Sequence, residues 1–414
     1  MCKGLPSLKR LLTVSLCTVL CTALMCTLTP STHAWPKGGG GGGGNGGGGN
    51  GGGGEDPPPS NLPEYTIEFI GDGTTTILGM NDFGDLVGGT SWPATGAWAF
   101  LQGVGMLDLN VVANPDPGVW LYRAHDINNY GEIVVEGFRD VDGDGQDDEW
   151  ANYRLTLDGN GSVLLLEELG TLSPNGPEID FRLGRINDDG DIFGTERDAT
   201  NTPTSILWSS DSDGDGLLDA VALPSGVRFY RGGGITNRAP DGTVQITSDV
   251  PDVYSFWRWT GDLSGNGVLE NLGPDTNSGD SGGYDINEFG DVVGNVSYWG
   301  PGFRYTDDGG FEEVGQLVTN PKPGEWIRAH AWGINNNRET VGWAAKGKTK
   351  GTNEQTIFIH HDDFGSVDIA PLISNWSIGL SPPGSSEDCL HINDAGQIAG
   401  NAAEGAFILT PVAP

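Results

Sequence analysis

The sequence predicts an all-β chain folded as a β-propeller of seven four-stranded blades, closed by pairing the N-terminal strand with the C-terminal blade. Three observations lead there. A nine-residue unit, INEFGDVVG at 286–294, recurs as MNDFGDLVG (80–88), INNYGEIVV (127–135), INDDGDIFG (186–194), INNNRETVG (334–342) and INDAGQIAG (392–400), with a damaged copy, ITNRAPDGTVQ, at 235–245. Its turn asparagines, Asn81, Asn128, Asn187, Asn237, Asn287, Asn335 and Asn393, stand 47 to 59 residues apart with no helical periodicity between them. That period suits a propeller blade, since a β-solenoid coil needs only ~20–30 residues. Finally, the last unit runs out after GAFILTPVAP without a fourth strand, while YTIEFIGDG at 65–73 reads as a strand with no unit ahead of it. Joining the two seals a ring and removes the free sheet edges that invite aggregation.

Taken in order, Lys3, Lys9 and Arg10 precede or open an uncharged stretch at 11–28, and small residues lead to a cleavage point after Ala34. This is the pattern of a secretory signal peptide over 1–34. The Thr and Ser residues within the stretch favour that reading over a membrane anchor. Cys2, Cys17, Cys21 and Cys26 leave with it, so the mature chain keeps Cys389 alone and has no internal disulfide; core burial or metal must hold an exported fold of that kind. Cys389 reads as a buried small hydrophobe. Residues 35–63, a glycine run followed by EDPPPSNLP, form a linker, flexible and then stiff. The globular domain covers 64–414.

With 21 basic against 56 acidic residues the net charge is −35. Such an excess argues against nucleic acid or an anionic membrane as partner. It fits a secreted, soluble protein facing high salt or neutralised by divalent cations, with no membrane insertion of the mature chain.

Each unit holds four extended runs. The first two are the hairpin: the turn Asn accepts from a backbone amide two residues on, and the glycine takes the positive φ that closes the loop. In the third a small residue precedes a large one, as in Ala99-Phe100, Asn152-Tyr153, Ser205-Ile206, Gly302-Phe303, Thr356-Ile357 and Ala406-Phe407. That alternation suits a strand wedged between tapering sheets. Fourth runs such as MLDLN (106–110), LLLEELG (164–170) and VLENLG (268–273) complete a blade.

The repeated IN-x-x-G-x-IVG, followed by AFL and DLG, resembles the HAF repeat family of bacterial extracellular proteins, most closely in GAWAFLQGVGMLDLN and INDAGQIAGNAAEGAFILTP. The resemblance covers nearly all of 64–414. It implies export and a repeat β architecture, and it brings no catalytic site with it. The extra residues in ITNRAPDG and Arg338 in place of the turn glycine depart from the pattern and predict irregular fourth and sixth blades. The near-duplicate segments NPDPGVWLYRAHDIN (114–128) and NPKPGEWIRAHAWGIN (320–335) read as shared packing, with Trp120 and Trp326 covering blade ends and Arg123 and Arg328 bonding carbonyls.

The strongest chemical signal is acidic. In DVDGDGQDD, Asp140, Asp142, Asp144 and Asp148 occupy alternate positions of a loop bent at Gly145, with the carbonyl of Gln146 between them. DSDGDGLLD repeats this with Asp211, Asp213, Asp215, Asp219 and the carbonyl of Leu217. DLSGNGVLE offers a weaker copy in Asp262, Ser264, Asn266 and Glu270. Ca²⁺ collects six to eight such oxygens at ~2.4 Å. An EF-hand is excluded for the first two, because Ala151 and Ala222 stand where its twelfth-position glutamate belongs. A solvated acidic hairpin tip accounts for the same residues without metal.

Catalytic patterns are thin. No H-E-x-x-H occurs. His360-His361-Asp362-Asp363 reads as a strand capped at a turn, with transition-metal binding as its alternative. Asp126 and Asp285 each precede an Ile-Asn pair and are placed to face a central channel as paired carboxylates. The function this sequence predicts is an extracellular, calcium-binding repeat protein acting as a binding or structural module toward a protein or glycan. The alternative is a propeller glycoside hydrolase or lyase working through the channel carboxylates.

Overall fold

The computed structural model describes residues 62–90, 96–143, 149–172, 182–197, 202–210, 217–224, 233–249, 256–273, 282–296, 300–317, 328–345, 355–374 and 390–412. They form seven four-stranded antiparallel sheets, and in six of them the strands pair in chain order. We number these blades 1 to 6. Blade 2, for example, runs Val119–Ile127, Glu132–Arg139, Glu149–Leu157, Val163–Glu168 from channel to rim. Blade 7 is the composite one. Its strands His391–Ile392, Ile398–Ala402 and Gly405–Pro411 are completed by Tyr65–Ile70, in register Tyr65 with Pro411 through Ile70 with Ala406. The predicted closure is therefore the observed one. Asn401 reinforces it across to blade 1: its Oδ1 accepts from Ile77 N at 2.8 Å and its Nδ2 donates to Ile77 O at 3.1 Å.

Burial follows distance from the axis. The innermost strand Ala329–Ile334 is buried at every position, whereas the outermost Gly267–Asn271 is largely exposed. Seven apolar clusters fill the seven gaps between neighbouring sheets. The glycine ending the repeated unit explains how sheets of this taper pack. Gly294 stands opposite Phe303, Gly342 opposite Phe358, Gly400 opposite Phe407 and Gly88 opposite Trp98. A Cβ on Gly294 would lie 1.9 Å from Gly282 O and 2.6 Å from the Phe303 ring. Each of these large rings is essentially fully buried, worth roughly 1.5–3 kcal/mol apiece. The large residues of blades 1 and 6 are thus Trp98 and Phe358, rather than the Phe100 and Ile357 that size alternation predicts.

Blade 4 needs a second correction. Thr236, not Asn237, occupies the turn position: its N donates to Gln245 O and its Oγ1 accepts from Gln245 N, closing the longer loop that the inserted residues create. In blade 6, Arg338 adopts the left-handed φ of +62° that the other units give to glycine, such as Gly290 at +81°. Among the duplicated segments, Arg123 and Arg328 lie over the Tyr122 and Trp343 rings at 5.0 and 4.7 Å. Trp120 is 44 % exposed. Trp326 and Cys389 lie outside the described residues.

Candidate functional site

The hairpin turns of all seven units converge on one end of the channel. Within a turn, Asn287 Oδ1 accepts from Phe289 N and Asp291 N, and its Nδ2 donates to Asp291 Oδ2. The same Nδ2 also crosses to the next blade, donating to Asn335 O. Six of the seven steps round the ring are made this way, at 2.8–3.2 Å, including the closing step from Asn393 to Asn81 O. Each turn asparagine is 4–5 % exposed, so its amide is spent on holding the blades in register.

One residue further on, a second ring forms the mouth. Asp82, Asn129, Asp188, Asn237, Glu288, Asn336 and Asp394 each donate a backbone N–H to the next member's side-chain oxygen, at 2.7–3.1 Å, and all seven steps are present. Asn129 Nδ2 also bridges Asp82 and Asp188, at 2.8 and 2.9 Å. The mouth is therefore a rigid circle of four carboxylates and three amides. Partial burial, with Asp188 and Asp394 nearby, pushes the Glu288 carboxyl above its usual range. Phe83 and Tyr130, next to the ring on adjacent blades, are 63 % and 69 % exposed; Phe289 is similarly exposed but carries the Arg338 guanidinium 5.6 Å above its ring.

Below the mouth lies a cavity of about 210 Å³. The apolar residues that precede the turn asparagines, among them Ile127, Ile286 and Ile334, form its collar, and Asp126 reaches its floor. At the floor the seven innermost strands contribute Gly79, Asp126, Arg185, Gly234, Asp285, Gly333 and His391. Five of those strands carry a β-bulge just before this level, which re-aims the residue that follows. The glycines make room. A Cβ on Gly79 would lie 2.6 Å from Asp126 Oδ1, and one on Gly234 would lie 3.0 Å from Asp285 Oδ1.

The floor holds a charged cluster. Arg185 donates to Leu78 O and Gly233 O at 3.2 Å each and contacts Asp126 Oδ1 at 3.4 Å, so it spans the channel. Asp126 Oδ2 accepts from Ile186 N and Asp285 Oδ2 from Ile334 N, each at 3.0 Å, and each pair links neighbouring blades. Burial raises the Asp126 carboxyl against the pull of Arg185, and it pushes Asp285 up to about 6. Burial and the Arg185 charge hold His391 well below the usual histidine range, so its imidazole is neutral. Asp126 and Asp285 thus face the channel, as their place in the repeat predicts. Arg185 and His391 join them without having been predicted; their signal was the same position, one residue before the Ile of the repeated unit.

The acidic loops do not gather at one place. Asp140 and Asp142 follow the second strand of blade 2, at the sheet end away from the turns; Asp144, Gln146 and Asp148 lie outside the described residues. Leu217 and Asp219 precede the outer strand of blade 3, and Asp211, Asp213 and Asp215 lie outside the described residues. The third loop is fully described. Asp262 Oδ1 accepts from Ser264 N and Asn266 N, while Glu270 pairs with Arg258 at 2.9 Å. Asp262 and Glu270 are thereby engaged by the hairpin and by the blade, respectively.

No protein-family model matches this sequence, and comparison with curated proteins finds no match. Among solved structures the chain is similar to virginiamycin B lyase from Staphylococcus aureus, at 14 % identity over 84 % of this chain and all of that one, with a TM-score of 0.48. It is similar to a puromycin hydrolase at 12 % identity over 83 % of this chain and 50 % of that one, TM-score 0.48. A gluconolactonase from Xanthomonas campestris matches at 9 % identity over 85 % and 95 % of the two chains, TM-score 0.38. At these identities the likeness concerns the arrangement of blades and carries none of their chemistry to this chain.

Proposed function

We propose that this protein is an exported binding module that holds a neutral or amino-sugar glycan at the channel mouth. The observation that carries the reading is the mouth itself: seven hydrogen-bonding side chains fixed in a closed ring over a cavity, with Phe83 and Tyr130 exposed beside it. Carboxylates and amides in fixed positions accept and donate to hydroxyl pairs, and an open aromatic face packs against the C–H face of a sugar ring. Four mouth carboxylates within a net charge of −35 disfavour anionic polymers. Ca²⁺ at the Asp140 and Asp211 loops stiffens the module in this reading, supported by the alternate spacing of their carboxylates.

Binding to an array of neutral, amino-sugar and anionic glycans tests it. An aromatic contact contributes ~0.5–1.5 kcal/mol, so joint Phe83→Ala and Tyr130→Ala substitution should weaken binding about tenfold with the fold intact. Absence of glycan binding, or binding indifferent to the double substitution, refutes the glycan assignment. For calcium, the melting temperature should rise in millimolar Ca²⁺ and fall with chelator; an unmoved transition refutes the metal.

One observation favours a second reading, a hydrolase or lyase. Asp285 is pushed up to about 6 while Asp126 shares the same channel and the same arginine, an arrangement that suits acid–base work near neutral pH. Alanine at both positions should then abolish turnover in a folded protein, and turnover retained in that variant ends this reading.

A further inference from the structure

The geometry points to a binding site for a zinc-class divalent cation between blades 5 and 6, formed by Glu312, His360 and Asp362. Glu312 lies on the outer strand of blade 5, while His360 is near the end of the third strand of blade 6 and Asp362 begins the turn that follows it. One ligand atom from each of the three lies within 4.8 Å of the others.

Arg304 by itself explains the two carboxylates. Its guanidinium binds Glu312 Oε1 at 2.5 Å and Asp362 Oδ1, and donates to Arg338 O at 2.9 Å. The same clamp occurs one blade earlier, where Arg258 binds Glu270 and Asp307 and donates to Gly290 O. In that clamp Tyr305 occupies the place of His360, 5.8 Å from the guanidinium. What the clamp leaves unexplained is His360. It is 7 % exposed, its Nδ1 bonds Ser366 Oγ at 3.0 Å, and its Nε2 is buried with no hydrogen-bond partner. That nitrogen faces Glu312 Oε2 at 3.8 Å. A buried polar atom without a partner is costly. With the Nδ1 proton given to Ser366, Nε2 presents its lone pair toward Glu312 Oε2, the oxygen Arg304 does not use.

This is the disposition of a metal-binding histidine, whose far nitrogen is held by a second partner that fixes the tautomer. Ligand atoms ~2.0–2.2 Å from a tetrahedral zinc lie ~3.3–3.6 Å apart. Glu312 and Asp362, with side chains 41 % and 52 % exposed, have the freedom to close the remainder. Imidazole nitrogen with two carboxylates selects zinc-class ions over Ca²⁺, which takes oxygen donors. Three ligands leave a fourth position to water, and the ion ties two blades together.

The test is titration of the chelator-treated full chain with Zn²⁺ by calorimetry, alongside thermal melting. His360→Tyr copies the blade-5 clamp and keeps that packing; Glu312→Gln changes a half-exposed group. Expected are one Zn²⁺ per chain at micromolar affinity or tighter, a raised melting temperature, and at least about tenfold weaker binding in both variants, since loss of even a second-shell partner costs ~10–100-fold. Stoichiometric binding unchanged in both variants, binding lost in Glu312→Gln but retained in His360→Tyr, or no stoichiometric binding at all would each overturn the site.

Discussion

Replacing Asn287 with alanine isolates what the repeated turn contributes. The side chain is 4 % exposed and makes four hydrogen bonds: from Phe289 N at 3.0 Å and Asp291 N at 2.9 Å, and to Asp291 Oδ2 at 3.0 Å and Asn335 O at 3.1 Å. Phe289 N sits at an exposed tip where water can replace the asparagine. The other three involve groups buried in the ring. Each intramolecular hydrogen bond contributes a net ~1 kcal/mol, and an orphaned buried partner costs ~1–3 kcal/mol. The substitution should therefore destabilise by about 3–5 kcal/mol, a large share of a typical domain's ~5–15 kcal/mol. Amide hydrogen exchange reads this locally: Asp291 N and the first strand positions of blades 5 and 6 should lose protection together, because the lost donor served both blades. Asn287→Asp keeps the acceptor, removes both donors and sets a second carboxylate beside Asp291, so it should be worse still at pH 7 and partly recover in acid. A loss under about 1 kcal/mol, with blade 6 exchange unchanged, would refute the view that these asparagines hold the ring.

Two further outcomes follow from the floor and the sheet gaps. Asp285 is pushed up to about 6 in the folded chain from an unfolded value near ~4. Its contribution is present below pH ~4 and is lost as pH rises through ~6, and each tenfold difference in proton affinity between the two states is worth about 1.4 kcal/mol. Asn at this position does not titrate and can still accept from Ile334 N, so Asp285→Asn should gain up to ~3 kcal/mol on the parent between pH 4 and 7. A urea midpoint difference that is constant with pH would sink that account. Gly294→Ala would drive a Cβ to 1.9 Å from Gly282 O, and overpacking of this kind costs ~1–3 kcal/mol or more; an unchanged melting curve would show the taper argument wrong.

Much of the architecture is legible in the chain because it is local. The Asn and Gly of the repeated unit act within five residues of each other, so their chemistry and the recurrence of the unit specify the hairpins, the blade count and the closure. The residue four positions after the asparagine is equally local, and its role emerges only with the structure. Asp85, Glu132, Asp191, Asp291, Glu339 and Gln397 are all acids or an amide, and each accepts from the turn asparagine's Nδ2. In blade 4 the same locality misleads, because an asparagine one position late masks the threonine that closes the turn.

The amino-acid pattern alone determined the elements, their order and their joining into a ring, since period, turn chemistry and an unpaired strand at each end are properties of the chain. The mouth, the part of the charged floor made by Arg185 and His391, and the His360 cluster were settled only by tertiary structure. Asp394 N finds Asp82 Oδ1 across a separation of 312 residues, and Arg185 meets Asp126 only once the blades surround an axis. Such contacts depend on how many sheets close the circle and which residue each bulge turns inward, and these are set by packing between blades.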